Sequence, residues 1–64
     1  MINMPFIEIH YLEPRSEEQR EKLAKAITDN VVEIFKVPRE AVWIKFSEMP
    51  QSHFSKGGVL WNKR

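Results

Sequence analysis

Apolar and polar side chains alternate over residues 6–12, with Ile7, Ile9 and Tyr11 on one side and Phe6, Glu8, His10 and Leu12 on the other. A period of two predicts a β-strand. Glu13-Pro14-Arg15 ends it, because proline has no N–H to extend a ladder. Ser16-Glu17-Glu18-Gln19 then has the spacing of a capping box, with Ser16 at the N-cap and Gln19 three residues on, and predicts a helix start. Glu17, Glu18 and Glu21 suit the positive end of the helix dipole, and Glu18 with Lys22 and Glu21 with Lys25 are spaced for i,i+4 ion pairs. Leu23, Ala26, Ile27, Val31 and Ile34 form an apolar stripe, widened by Ala24, Val32 and Phe35, that has to face a sheet. Lys36 falls in the last turn. Val37-Pro38 closes the helix, since the residue before a proline is pushed out of the α region. Residues 41–49 alternate again, Val42, Ile44 and Phe46 opposing Trp43, Lys45 and Ser47, and predict a second strand. Two strands joined through a long helix form a parallel pair with a right-handed crossover. Pro50-Gln51-Ser52 is turn-like, and Gly57-Gly58 permits positive φ before Val59-Leu60-Trp61, so a short C-terminal hairpin or arm is expected. The fold class that results is α+β: one β-α-β unit plus a hairpin.

This arrangement raises a difficulty of coverage. One helix shields one face of a two-stranded sheet, whereas parallel strands are normally buried on both. Phe6, Leu12 and Trp43 on one face oppose Ile7, Ile9, Val42, Ile44 and Phe46 on the other. Ordering 64 residues costs on the order of 100 kcal/mol at about 1.5 kcal/mol each. A chain this short buries only about 60% of its unfolded surface. With no cysteine and only two histidines, neither a disulfide nor a structural zinc site can compensate. Self-association is therefore expected.

Composition narrows the function. At 42% hydrophobic and 30% charged residues the chain is globular rather than disordered. Its formal net charge is +1, and its cations are scattered from Arg15 to Arg64, so no phosphate-binding stripe is present and nucleic acid is not an expected partner. No apolar run approaches the ~18 residues of a membrane span. Met1-Ile2-Asn3-Met4 lacks the pattern of a signal peptide, so a cytoplasmic protein without membrane partners is expected. No internal repeat is visible. His10 and His53 show no ligand spacing, and no metal is expected. Ser16 is explained by its capping role.

Pro5-Phe6-Ile7 opening a strand, His10-Tyr11-Leu12-Glu13, Arg15-Ser16 followed by Glu18-Gln19, then Glu48-Met49 and His53-Phe54 before Gly57-Gly58 resemble, in register and without gaps, the small subunits of the 4-oxalocrotonate tautomerase family. The resemblance covers nearly the whole chain after Met4. It implies a β-α-β subunit assembled as a homohexamer, a small enol or keto acid as substrate, and cofactor-independent chemistry with an amino-terminal proline as base. Pro5 matches that proline, Arg15 the arginine that binds the substrate carboxylate or oxygen, and Phe54 an aromatic wall of the pocket. Trp43 stands where the best-known member of that family carries a second, substrate-binding arginine, and Lys45 or Arg39 is available to replace its charge.

The chemistry has a physical basis. A secondary amine at a chain terminus titrates near the ~8 of an α-amino group and is lowered by burial or neighbouring cations, which yields a base matched to neutral pH. An arginine can bind a carboxylate and stabilise negative charge on an enolate oxygen. In this sequence, however, Pro5 follows Met4, and an internal proline is an amide without a basic lone pair. Removal of an initiator methionine requires a small next residue, which Ile2 is not and Pro5 is. Translation is accordingly expected to begin at Met4, with residues 1–4 an N-terminal extension from a misassigned start site and residues 5–64 the domain. Pro5 and Arg15 flank the first strand, whose seven residues span about 23 Å at ~3.3 Å each, so a site using both lies between subunits. Two other readings follow from the same residues. One is a hydratase or dehalogenase of unsaturated acids, with a protonated Pro5 and with Glu13 or Glu48 activating water. The other is a non-catalytic, ligand-binding oligomer if Pro5 stays blocked.

Overall fold

The computed structural model describes residues 4–64; the expected extension lies, apart from Met4, outside the described residues. Strand β1 (Phe6–Tyr11) leads into helix α1 (Glu17–Phe35), a 3₁₀ turn at Arg39–Ala41 and strand β2 (Trp43–Glu48). The two strands pair in parallel, with Phe6 opposite Trp43, Glu8 opposite Lys45 and Tyr11 opposite Glu48. A 3₁₀ turn at Gln51–His53 follows, then the short antiparallel pair β3 (Ser55–Lys56) and β4 (Val59–Leu60), and a final 3₁₀ turn at Trp61–Lys63.

Both strands are shorter than the alternation predicts. Leu12 lies in the bend after β1. Ala41 belongs to the 3₁₀ turn that Pro38 starts, so β2 begins only at Trp43, whose N–H reaches the carbonyl of Pro5 at 3.0 Å. The capping box forms as expected: Gln19 N–H donates to Ser16 Oγ at 3.1 Å and Ser16 N–H donates to Gln19 Oε1 at 3.0 Å. Glu18 pairs with Lys22 at 3.5 Å, but Lys25 turns toward the C-terminal end and binds Asp29 at 2.9 Å in place of Glu21. The helix is rotated from the expected stripe. Arg20, Ala24, Ile27, Thr28, Val31 and Val32 are half-buried, whereas Leu23, Ala26, Ile34 and Phe35 are exposed. Length bears on the exposed end: nineteen residues make a helix of about 29 Å, and six-residue strands reach about 20 Å. The helix end overshoots the sheet, and Ile34 is left 70% exposed.

Lys36 ends the helix in the left-handed region at φ 59°, ψ 47°, its N–H on the carbonyl of Val32 at 3.0 Å. A side chain there is strained by roughly 1 kcal/mol or more. Lys36→Gly relieves that strain against a larger unfolded-state entropy, and we expect a net gain of about 0.5 kcal/mol, read as a higher midpoint in urea with an unchanged m-value.

In the arm, Gly57 (φ 62°) and Gly58 (φ 83°) are both at positive φ, as a two-residue type I′ hairpin loop requires. Trp61 N–H donates to the Phe54 carbonyl at 2.7 Å, the two rings meet edge to face at 6.0 Å, and the Arg64 guanidinium lies 5.5 Å from the Trp61 ring.

Among the described residues only Val37 is buried. The sheet face opposite the helix, with Phe6 and Trp43 more than half exposed, has no cover. The radius of gyration is 15.2 Å, against about 11 Å for a compact chain of this length. The accessible surface is 5282 Å², against about 4,300 Å² for a compact monomer of this mass. Both values exceed those of a compact monomer, in keeping with the self-association expected from the uncovered sheet face.

Candidate active site

Two parts of a site lie at opposite ends of β1. At its start Pro5 is half-buried, and its carbonyl accepts the Trp43 N–H, so the parallel register sets Pro5 beside Trp43 and Phe6 next to both. The Trp43 indole is held by its own chain: Nε1–H donates to the Glu40 carbonyl at 3.2 Å, leaving the ring 53% exposed. Pro5 nitrogen is here an amide bonded to Met4, and as such carries no base.

At the far end, Ile9, Tyr11 and Phe46 from the sheet and Gln19, Arg20 and Leu23 from the first turns of α1 enclose, with Arg15, a cleft of about 290 Å³. Pro14 breaks the strand and Ser16 caps the helix, which fixes the turn between them and holds Arg15 over the cleft mouth. Arg15 Nη1 donates to the Pro14 carbonyl at 3.0 Å and lies 3.9 Å from a Glu13 carboxylate oxygen. Arg20, to which the sequence reading assigns no role, is half-buried here, and its Nη1 donates to the Arg15 carbonyl at 2.6 Å. Its spacing offered the signal: Arg20 precedes Ala24 by four residues and Ile27 by seven, on the stripe that faces the sheet.

The remaining candidates are dispersed. Phe54 packs on Trp61 in the arm. Lys45 lies exposed on the open sheet face, opposite Glu8 in register. Arg39 is engaged elsewhere, its Nη1 on Asp29 Oδ1 at 2.7 Å. One chain thus brings Pro5 and Trp43 together, and Arg15 together with Arg20, but does not join the two groups. No set of three or more His, Asp or Glu side chains able to hold a metal ion occurs among the described residues. No helix among them is long and apolar enough to cross a membrane.

Asp29 ties the end of α1 to the turn before β2. The hydrogen bond from Lys25, then that from Arg39, hold its carboxyl below the ordinary value of 3.8. A depressed carboxylate contributes stability above its ordinary range and loses it as pH falls through the folded-state value. Asp29 should therefore titrate below 3.8 when followed by NMR. Arg39→Gln should move it upward, and salt should do the same, because the pair is solvent-exposed.

Comparison with known proteins bears on what this arrangement does. The family model described as “Tautomerase enzyme” matches residues 5–64. The chain belongs to the tautomerase family. A Streptococcus thermophilus protein named “Probable tautomerase” is 37% identical over 60 residues, covering 94% of this chain and 98% of that protein. The 2-hydroxymuconate tautomerase of Pseudomonas putida is also 37% identical over 60 residues, covering 94% and 95%. Among solved structures, a heterohexameric 4-oxalocrotonate tautomerase from Chloroflexus aurantiacus superposes with a TM-score of 0.78 at 33% identity, covering 94% of this chain and 97% of that one. The α+β subunit is the fold of 4-oxalocrotonate tautomerases, and family membership makes the chain an isomerase of the keto–enol tautomerase kind.

Proposed function

We propose that this tautomerase converts a small 2-hydroxy-dienoate or related enol acid to its keto form, without a cofactor, using Pro5 as an amino-terminal base after residues 1–4 are absent or removed. The observation that carries the proposal is the placement of Pro5. It starts β1, the family match starts with it, and its backbone is held through its carbonyl rather than its nitrogen. Freeing the nitrogen therefore costs the sheet no hydrogen bond. A neutral secondary amine at that point takes the proton of the enol hydroxyl; the C–C π electrons move to the distal carbon as the C=O forms. The resulting ammonium then returns a proton to that carbon. Burial among apolar side chains and nearby guanidinium groups lowers the amine's pKa toward neutrality.

Arg15 of another copy supplies the carboxylate contact, since Pro5 and Arg15 lie too far apart in one chain. Phe54 and Trp43 form apolar walls, and Lys45 or Arg39 supplies further charge, Lys45 being the one without a carboxylate partner within ion-pair distance among the described residues. A homohexamer in the cytoplasm is the assembly we propose, in line with the six-subunit relative of Chloroflexus aurantiacus. A substrate of the 2-hydroxymuconate type is supported by the name of the Pseudomonas putida relative.

The amide between Met4 and Pro5 favours a second reading, a non-catalytic oligomer that binds small ligands. Ketonisation of 2-hydroxymuconate and phenylenolpyruvate by the chain beginning at Pro5 and by the chain beginning at Met1 separates the two. Turnover by the first alone supports the proposal, and inactivity of both supports the second reading.

A further inference from the structure

The cleft at the end of β1 contains a feature that Pro5 chemistry uses only in part: Arg15, which that chemistry needs, is joined by a second guanidinium, both hung from successive carbonyls of one turn. Arg15 is anchored to the carbonyl of Pro14 at 3.0 Å and Arg20 to that of Arg15 at 2.6 Å. Each anchor uses one of five N–H donors, fixes the head group and leaves the other donors available. Glu13, 3.9 Å from Arg15, offsets part of one charge. Among the described residues no carboxylate lies within ion-pair distance of Arg20, although it is half-buried. A half-buried cation without a counter-ion, in a cleft with a second cation, is a site for an anion.

We infer that Arg15 and Arg20 form a double-guanidinium clamp for the carboxylate head of a 2-oxo or 2-enol acid, with Arg20 as a substrate-binding residue. Ile9, Tyr11, Leu23 and Phe46 provide the apolar and aromatic surface for its unsaturated or aryl tail. A volume of about 290 Å³, at the lower limit of ligand pockets, suits a small acid. Arg20 thereby provides a second positive charge in a chain that has Trp43 at the other end of the sheet. The inference deepens the proposed function by naming the head group, and the reacting substrate is taken from that proposal, but the clamp belongs to one chain and binds irrespective of the state of Pro5.

Calorimetric titration of the full chain with phenylpyruvate and with its uncharged methyl ester tests this without requiring turnover. Arg20→Gln, and Arg20→Met, which keeps the packing of the stem, should weaken phenylpyruvate about 10- to 100-fold while leaving the weaker ester unchanged, and Arg20→Lys should restore most of the loss. Failure of the unaltered chain to bind phenylpyruvate, unchanged affinity in both variants, or equal losses for acid and ester would overturn the clamp. Intact binding without turnover by the chain beginning at Pro5 would instead overturn the tautomerase mechanism and leave the clamp standing.

Discussion

Pro5→Ala in the chain beginning at residue 5 should lower kcat/KM for phenylenolpyruvate by about 10²–10⁴-fold, the span over which a positioned acid–base group contributes. The smaller loss corresponds to partial rescue by alanine's own terminal amine, a primary amine whose position is no longer set by a ring. Acylation of the terminus should remove that residual activity as well. Structure gives the control. Among the described residues the one backbone hydrogen bond at Pro5 is from Trp43 N–H to its carbonyl, which alanine also provides, so far-UV circular dichroism and sedimentation should stay as in the parent. A comparable fall in activity with a broken assembly would instead point to a packing role for the ring.

Phe6→Asp should dissociate and unfold the protein in one step. Phe6 is 56% exposed on the open face of the sheet, in register with Trp43 at 53% exposure, and Val37 alone is buried among the described residues. Such a subunit gains most of its apolar burial from other copies, so folding and association share one transition that depends on concentration. A carboxylate placed on the face that associates is desolvated without a partner, which costs several kcal/mol, comparable with the whole stability of a small domain. Sedimentation velocity and circular dichroism at micromolar concentration should show smaller particles and lost helix together. A folded monomer with the parent spectrum would show that the open face is not needed for stability.

Local signals were sufficient for the elements and insufficient for the site. Alternation at Ile7, Ile9, Ile44 and Phe46, the reciprocal Ser16–Gln19 cap and the Gly57-Gly58 loop were legible because each depends on a few neighbouring residues. The rotation of α1 was not, because helical spacing places Leu23 and Ala24 almost equally well and packing against the sheet decides between them. The left-handed Lys36 was not, because lysine at that position carries no signal of the kind glycine would. The pairing of Arg39 with Asp29, ten residues away, was not legible either, because it depends on the angle of α1 to the turn before β2. The spacing of Arg20 from Ala24 and Ile27 put it on the sheet-facing stripe, but the carbonyl it holds and the cleft it faces depend on the bend through Pro14 and Arg15. Pro5 and Arg15 were legible as candidates; because they lie at opposite ends of β1, the site proposed for them is a property of the assembly.

Intact mass and activity measured on the same sample, purified without a tag from cells that make the protein from its own gene, test the central claim most directly. The account predicts an active species whose mass corresponds to residues 5–64 with an unmodified terminus. A fully active species that retains Met1, and so carries Pro5 as an amide, would contradict it.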